Sequence, residues 1–203
     1  ARLATGDYLL FLNDDVEAIG PGWLDALLEH AQRPGTGAVG PRMLYPSGAI
    51  QHAGVVLGLD GPAGHLFTGM GGDVPLYFDL PDVVREVSAV TGACMLVSRR
   101  LFEEVGGFDE AFVISYNDID FCLRLRQRGL RNLYTGVVTL LHRESASRGN
   151  LSPPEDRARM WGRWGGALLA DPYYNPNLSL LQADPVPWPD PRRKPTLGPT
   201  PPP

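Results

Sequence analysis

The sequence predicts a mixed α/β sandwich, because short apolar strands alternate along it with amphipathic helices. A strand-like run at 7–13 stops abruptly in Asn13-Asp14-Asp15, and a helical pattern follows it. Further strand-like runs return at 38–44, 50–57 and 87–97, and helical patterns follow the last of them. Strands and helices in this order pack as helices against both faces of one sheet, so we expect an α/β/α arrangement with a mixed sheet.

Composition favours a globular protein with one substantial core. The chain has 203 residues, 43% of them hydrophobic and 20% charged, and a net charge of -5. A chain without a basic stripe is a poor candidate for binding nucleic acid, and no apolar run is long enough to cross a bilayer. Cys94 and Cys122 stand in apolar surroundings without metal-ligand spacing, which favours reduced thiols in a cytoplasmic protein.

Proline content divides the chain into a folded body at 1–182 and a tail at 183–203. From Asp184 onward proline recurs at short intervals and ends in Pro201-Pro202-Pro203. Proline cannot donate to a sheet or continue a helix, so we expect the tail to be extended or disordered.

Gly and Pro mark the boundaries of the predicted elements in the first half. A helix should follow Gly20-Pro21-Gly22 and end at Pro34-Gly35. The run 50–57 is predicted as a single strand with His52 near its start. The glycine-rich segment 58–72 fits no regular element and lacks a P-loop ending, so we predict a mobile surface lid.

The second half carries three predicted helices and a late strand. The strand at 87–97 is interrupted by small residues at 91–93, a step that often lets a ligand approach closely. Ser98 should cap a short helix, Asn117 a second helix, and Pro153 should begin a third. The strand at 137–141 ends in His142.

Acidic and imidazole side chains stand where these elements begin or end. Asp14 and Asp15 end a strand, Asp118 and Asp120 open a helix, and His142 ends another strand. In open α/β folds ligands bind at such a rim, and two adjacent carboxylates repel each other unless a cation compensates. Each position also has a plain structural explanation, as a turn cap, a helix-dipole partner or a hydrogen-bonded histidine.

Taken together, these positions resemble a known family. The run 4–17, with Asn13-Asp14-Asp15 near its end, is similar to part of the nucleotide-diphospho-sugar transferase domain of family 2 glycosyltransferases, which have the GT-A fold. Further matching segments follow in the family's order: 91–96, 105–110, 117–124, 138–142, 145–147 and 171–178. The resemblance covers residues 1–180 and implies a partial GT-A fold that lacks its N-terminal strands.

The resemblance implies a divalent metal site. Asn13-Asp14-Asp15 matches the family's Asp-x-Asp position, with Asn where the first Asp often stands. Asp15 would bind Mn²⁺ or Mg²⁺, Asp14 would contact the ribose or the water shell of the metal, and His142 would complete the shell. The metal bridges the two phosphates of the donor and neutralises the charge on the departing nucleotide.

The resemblance also implies an inverting sugar transfer. Asp118 matches the catalytic Asp of the family's acidic pair, here Asn-Asp, and would act as general base on the acceptor hydroxyl. Gly92 and Ala93 would leave room for the sugar or the acceptor, and Asp109 would line the acceptor pocket. The expected donor is a nucleoside-diphosphate sugar of the UDP or dTDP type, and the expected acceptor is a glycan or a lipid-linked sugar in the biosynthesis of a cell-wall or surface polysaccharide.

The sequence departs from the family pattern in two ways. The upstream strands and the base-binding Asp are not matched, so we expect an upstream segment to complete the fold. No Gln-x-x-Arg-Trp motif follows Asp118, which disfavours processive polymer synthesis. We further expect a cytoplasmic protein that associates with the inner face of the membrane.

Two other functions stay open from the residues alone. The chain is either a catalytic domain or an incompetent C-terminal portion that binds an acceptor or another protein. A metal-dependent phosphohydrolase would also explain Asp14 and Asp15, but it leaves Asp118 and the segment 106–109 without a role.

Overall fold

The structure is a computed structural model that describes residues 1–143 and 152–187. Its strands are β1 (Tyr8–Leu12), β2 (Val16–Ala18), β3 (Thr36–Leu44), β4 (Ile50–His52), β5 (Val55–Leu57), β6 (Ala63–His65), β7 (Val84–Val87), β8 (Cys94–Ser98) and β9 (Arg131–His142). Its helices are α1 (Trp23–Ala31), α2 (Arg99–Val105), α3 (Asn117–Gln127) and α4 (Pro154–Leu168), and a short 3-10 helix spans Leu80–Asp82.

A mixed sheet forms the centre of the fold. Its strand order is β1-β8-β3-β9-β2, with β4 paired to β3 and β7 paired to β9. The pairing of β3 with β9 is parallel, and the other pairings in this sheet are antiparallel. The predicted mixed sheet is confirmed.

Helices cover both faces of this sheet. Strand β8 shows the alternation directly, since Met95 and Val97 face one core cluster and Cys94 and Leu96 face the other. Helix α1 packs on the face that contains Cys94, and α2, α3 and α4 contribute to the cluster that contains Met95. This is the expected α/β/α sandwich.

The predicted ends of the helices are largely confirmed. The side chain of Ser98 accepts a hydrogen bond from the backbone N–H of Leu101 and caps α2, which Gly106 ends with φ 88°. Helix α4 begins at Pro154, one residue after the predicted start, and Pro153 occupies its cap position. Asn117 is the first residue of α3 rather than its cap, because Tyr116 occupies the cap position with φ 68°.

The prediction of one strand at 50–57 is wrong. The chain breaks at Gly54, whose φ of 86° suits glycine alone, and a Cβ there would lie 2.7 Å from Cγ1 of Val87. Strand β4 before the break joins the large sheet, and β5 after it pairs with β6. Apolar runs of this kind carry no signal for such a change of sheet.

The prediction that 58–72 lacks regular structure and lies on the surface is wrong in part. The segment contains β6, and both Leu66 and Phe67 are buried in the main core. The backbone N–H of Phe67 donates to the carbonyl of Ala183 at 2.9 Å, so the segment also contacts the first residue of the predicted tail.

Three further boundaries differ from the predictions. The run 87–97 belongs to two strands, since β7 ends at Val87 and β8 begins at Cys94. Strand β9 begins at Arg131, before the predicted start at 137. The first residues of the predicted tail contact the body, because the carbonyl of Val186 accepts from the N–H of Ser179. The rest of that tail, 188–203, and the matched segment 145–147 lie outside the described residues.

Within 1–143 and 152–187, no helix is both long enough and apolar enough to span a bilayer. Cys94 and Cys122 are buried free thiols, as predicted. Burial raises the pKa of Cys94 to about 12.

Candidate functional site

Three chain segments meet at one end of the large sheet, where β1 finishes; this end of the strands is called the site edge below. The backbone N–H of Asn13 donates to the carbonyl of Ala93 at 2.9 Å, just before β8 begins. The N–H of Arg143 donates to the carbonyl of Asp15 at 2.9 Å, and Val16 pairs with His142 at the end of β9. The topology therefore gathers predicted site residues that are far apart in sequence.

The side chain of His142 lies at the centre of a polar cluster. Its Nε2 is 3.0 Å from Oδ1 of Asp15 and 3.2 Å from Nδ2 of Asn13. Its Nδ1 is 2.6 Å from Oε1 of Gln51, an amide oxygen that can only accept, so Nδ1 carries a proton. His142 is buried, whereas Asp15 is partly exposed, so the cluster has a wall of protein and an open side.

This cluster has donor chemistry that suits a divalent cation. A ring with its proton on Nδ1 presents the Nε2 lone pair, which lies 3.2 Å from the donor Nδ2 of Asn13 and 3.0 Å from another acceptor, Oδ1 of Asp15. A proton or a cation between the two atoms removes that conflict. A divalent ion held at this position would take Oδ1 of Asp15 and Nε2 of His142 as ligands. Gln51 would then be the outer partner that fixes the orientation of the imidazole.

The protein alone supplies few ligands to such an ion. Among the described residues, no group of three or more His, Cys, Asp or Glu side chains is arranged to hold a metal. Asp15 and His142 form the close pair of such donors at the site edge, so the remaining positions would belong to other oxygens, such as those of a ligand or water. The residues fit a metal that is bound together with a substrate better than a structural metal.

Asp118 lies beside the site edge. Its Oδ2 accepts from the backbone N–H of Gly92 at 2.7 Å, and its Oδ1 accepts from the N–H of Ile119 at 2.8 Å. Gly92 directly precedes Ala93, whose carbonyl binds Asn13. The carboxylate is thus fixed in orientation by two backbone donors while its residue stays partly exposed.

Two of the predicted site residues are not drawn into this cluster. Asp14 is exposed next to it. Asp109 instead forms an ion pair with Arg163 at 2.7 Å. The N–H of Ala111 and the guanidinium of Arg163 lower the pKa of Asp109.

Asp120, the second acidic residue of α3, belongs to a buried network of hydrogen bonds. Its side chain is fully buried and accepts from Nε of Arg124, from Arg163 and from Nε1 of Trp164 at 2.8, 2.8 and 2.9 Å. Residues two positions apart point about 200° apart around a helix, so Asp118 faces Gly92 while Asp120 faces α4. The two carboxylates therefore belong to different sides of α3.

A cavity of about 550 Å³ lies on the side of α3 that faces α4. The turn 106–110, Arg124, Gln127, Arg163 and Trp164 line it. This side of α3 carries Asp120 rather than Asp118, and Asp15, His142 and Asp118 are not among the residues that line the cavity.

Sequence reasoning missed the polar residues that support the site from a distance. Gln51 is one of these, and its single signal is a polar residue inside an apolar run. Asp156 and Arg163 are the others, and in the sequence they look like ordinary charges on an amphipathic helix.

No protein-family model matches the chain. Several curated proteins, in contrast, are similar to it in sequence. The chain is 45% identical over 187 residues to uncharacterized protein y4gI of Sinorhizobium fredii, covering 88% of the chain and 21% of that protein. It is 44% identical over 191 residues to the O-antigen biosynthesis protein RfbC of Myxococcus xanthus, covering 91% of the chain and 15% of that protein.

A third relative has a named transferase activity. The chain is 33% identical over 158 residues to an N-acetylglucosaminyl-diphospho-decaprenol L-rhamnosyltransferase of Mycobacterium tuberculosis, covering 70% of the chain and 49% of that protein. Together with the fold and the motifs described above, this decides the family. The chain is a glycosyltransferase family 2-like domain.

The fold of this glycosyltransferase domain agrees with a solved structure. GalNAc-T7, determined with UDP, GalNAc and Mn²⁺, superimposes with a TM-score of 0.58 at 15% identity, over 80% of the chain and 32% of that protein. The likeness shows the GT-A fold. The domain spans only 15% to 49% of the length of the three curated relatives, so it corresponds to a part of each of them.

Proposed function

We propose that this domain carries the metal-binding and general-base residues of an inverting glycosyltransferase. The observation that carries the proposal is the meeting of Asp15, His142 and Asn13 at the end of β1. Asn13 also binds the backbone of Ala93, and the preceding residue, Gly92, binds Asp118. A donor diphosphate and an acceptor hydroxyl need these two kinds of group side by side. The names of the relatives support a transferase of sugars.

In the proposed reaction, Asp118 takes the proton of the acceptor hydroxyl. The acceptor oxygen forms a bond to the anomeric carbon as the bond from that carbon to the diphosphate breaks, and the nucleoside diphosphate leaves with the bonding electrons. A single displacement inverts the anomeric configuration. The N–H groups of Gly92 and Ile119 hold the carboxylate in one orientation, and its remaining lone pairs would accept the proton of the acceptor hydroxyl.

Asp15 and His142 are the residues that would hold Mn²⁺ or Mg²⁺, and Gln51 would orient the imidazole. Such an ion, when bound, neutralises charge on the departing diphosphate. Asn13 and Asp14 would contact the donor at the site edge, and Ala93 would border the sugar. Asp109 as an acceptor residue is a weaker proposal, because Arg163 already binds its carboxylate.

The chemical classes of the donor and of the acceptor are also part of the proposal. We propose a donor of the UDP or dTDP type and an acceptor that is a glycan or a lipid-linked sugar of a cell-wall or surface polysaccharide. GalNAc-T7 with UDP and the relative that acts on a decaprenol-linked sugar support this choice. A cytoplasmic domain at the inner face of a membrane would meet such an acceptor.

One observation favours a role for an additional chain segment. Strand β1 ends the order of the large sheet, so in the described residues its outer edge pairs with no strand. Exposed strand edges accept further strands. We propose that an upstream segment pairs there and completes the donor site. A peptide with the sequence of that segment should bind the domain and protect the amides of β1 from hydrogen exchange.

Metal binding is the first test. The electron paramagnetic resonance signal of free Mn²⁺ should fall when the domain and UDP are added together. Asp15→Asn and His142→Ala should each weaken this binding, and Asp25→Asn, which changes an exposed carboxylate on α1, should not. Equal binding by all these variants would remove Asp15 and His142 from the metal site.

Turnover is the second test. Release of nucleoside diphosphate is measured with UDP-glucose, UDP-N-acetylglucosamine, GDP-mannose and dTDP-rhamnose as probes. Asp118→Asn should abolish release while Mn²⁺ binding persists. Full turnover by this variant would exclude Asp118 as the base. Release of phosphate from simple phosphoesters would instead favour a phosphohydrolase.

A further inference from the structure

Asp156 holds the loop that leads into Asp118. It lies in the first turn of α4, its side chain is 1% exposed, and it accepts three consecutive backbone N–H groups. Oδ1 binds the N–H of Val113 at 3.0 Å, and Oδ2 binds those of Ile114 and Ser115 at 3.0 and 2.9 Å. Burial raises the pKa of Asp156, but the three N–H donors outweigh it, so the pKa is lowered and the group stays charged.

The position of this contact makes it more than a local cap. The three bound residues directly precede Tyr116, whose φ of 68° places it in the left-handed region. A non-glycine residue in that region is strained and persists only when its surroundings hold it there. Tyr116 in turn accepts the N–H of Asp120 through its carbonyl at 2.8 Å and starts α3, on which Asp118 is the second residue.

Helix α4 therefore holds the start of α3 at two places. Asp156 holds the backbone just before Asp118, and Arg163 and Trp164 bind the side chain of Asp120 just after it. Asp118 lies between these two attachments, and its own contact across the site is the N–H of Gly92. A shift of the loop 113–115 would move the carboxylate of Asp118 relative to Gly92.

We propose that Asp156 is a positioning residue, which sets the carboxylate of Asp118 against Gly92 by holding the backbone of residues 113–115. The description of Asp118 as general base rests on the proposed function. The positional claim does not, because the Gly92–Asp118 hydrogen bond can be measured without any substrate.

The matched pair of variants is Asp156→Asn and Glu155→Gln. Both remove one negative charge from the first turn of α4, but Glu155 is exposed and binds none of the three N–H groups. An Asn side chain keeps one acceptor oxygen and turns an N–H₂ group toward backbone donors, so the loop loses part of its anchor. A role limited to the helix dipole predicts the same result for both variants.

The first measurement is the amide of Gly92 by ¹⁵N NMR. In Asp156→Asn its exchange should speed up about tenfold, as expected for weakening a hydrogen bond by about 1.4 kcal/mol, and its proton shift should move toward that of Asp118→Asn. Glu155→Gln should leave both unchanged. A folded Asp156→Asn protein with the Gly92 shift and exchange of the parent would overturn the proposal.

If Asp156→Asn does not fold, Asp156→Glu replaces it in this measurement, because it keeps the charge and displaces the carboxylate by one methylene. The proton shift and exchange rate of its Gly92 amide should lie between those of the parent and those of Asp118→Asn. Values identical to the parent's would again overturn the proposal.

The second measurement separates this proposal from the proposed function. With the donor that turns over fastest, Asp156→Asn should lower kcat about tenfold or more and change KM for the donor less than about twofold, because only the base is displaced. Full turnover in Asp118→Asn would refute the proposed function, and the NMR result would still decide whether Asp156 positions Asp118. An unchanged kcat together with an altered Gly92 amide would refute the catalytic consequence of positioning.

Discussion

The backbone N–H of Gly92 donates to Oδ2 of Asp118 at 2.7 Å, which joins the step between two strands to the first turn of α3. A Cβ added at Gly92 would lie 3.3 Å from Cβ of Asp118, closer than side chains normally approach. The absence of a side chain at position 92 is therefore what lets the carboxylate sit against the backbone of the site edge.

We expect Gly92→Ala to displace Asp118 by a few tenths of an ångström and to lower kcat roughly ten- to hundredfold, because reacting groups tolerate little misplacement. Gly162→Ala is the matched control, since a Cβ there meets nothing within 4 Å and alanine favours the helix. Nucleoside diphosphate release measures the effect. Equal activity in both variants would show that the Gly92 contact does not position the base.

The buried carboxylate of Asp120 makes a separate prediction about stability. Asp120→Ala leaves the guanidinium groups of Arg124 and Arg163 and the indole N–H of Trp164 without their shared acceptor. Breaking a buried ion pair costs about 3–5 kcal/mol, and we expect the lower end because Arg163 is partly exposed. Urea unfolding monitored by circular dichroism measures the loss.

The control for Asp120 is an ion pair at the surface. Glu29→Ala breaks the exposed pair between Glu29 on α1 and Arg33, which lies just beyond the end of that helix, and this should cost less than about 0.5 kcal/mol. If Asp120→Ala were as mild as this control, the network around Asp120 would not stabilise the packing of α3 on α4.

The sequence predicted the parts of this site that depend on local pattern. An apolar strand that ends in carboxylates has a readable signal, and so does a strand that ends in His142. Their meeting at the site edge follows from strand order, in which β9 pairs with β2 and β1 pairs with β8. That order was available only through the family resemblance, because the residues do not encode it locally.

The parts that sequence reasoning missed depend on contacts between distant positions. Gln51 lies 91 positions from His142, and Asp156 lies 41 positions from Ser115, so no spacing rule joins them. The break at Gly54 is equally hard to predict, because the residues next to it are apolar, and the φ of 86° and the crowding at Val87 that select glycine there are seen only in the fold. Supporting residues are found once the fold has placed their partners.

Gln51 is expected to control metal affinity through the imidazole it orients. Gln51→Leu removes the acceptor for Nδ1 of His142, so the ring can turn or shift its proton to Nε2, the atom that faces Asp15. Loss of such an outer partner typically weakens metal binding about ten- to hundredfold. Titration of Mn²⁺ in the presence of UDP measures this change.

Gln127→Leu is the control for this substitution, because Gln127 is exposed on α3 and lines the cavity on the side that faces α4. It should bind Mn²⁺ like the parent. A Gln51→Leu protein that binds Mn²⁺ as tightly as the control would exclude an orienting role for Gln51.

His52 is expected to make folding stability depend on pH. It is fully buried, its Nδ1 lies 2.8 Å from Nδ1 of His65, and Arg85 and the ring of Tyr134 pack nearby. Burial, His65 and Arg85 lower the pKa of His52 well below 6.5 in the folded state. Below pH 6.5 the unfolded chain therefore binds a proton that the folded chain excludes, and acid favours unfolding.

The free energy of unfolding should fall by up to about 1.4 kcal/mol for each pH unit below about 6.5, until the pH reaches the folded-state pKa of His52. Urea unfolding at pH 7.5, 6.5 and 5.5 measures the slope. His52→Gln should flatten it without abolishing it, since burial and Arg33 also lower the pKa of His30. If the slope of His52→Gln equalled that of the parent, the acid sensitivity would come from another group, because a glutamine at this position binds no proton in either state.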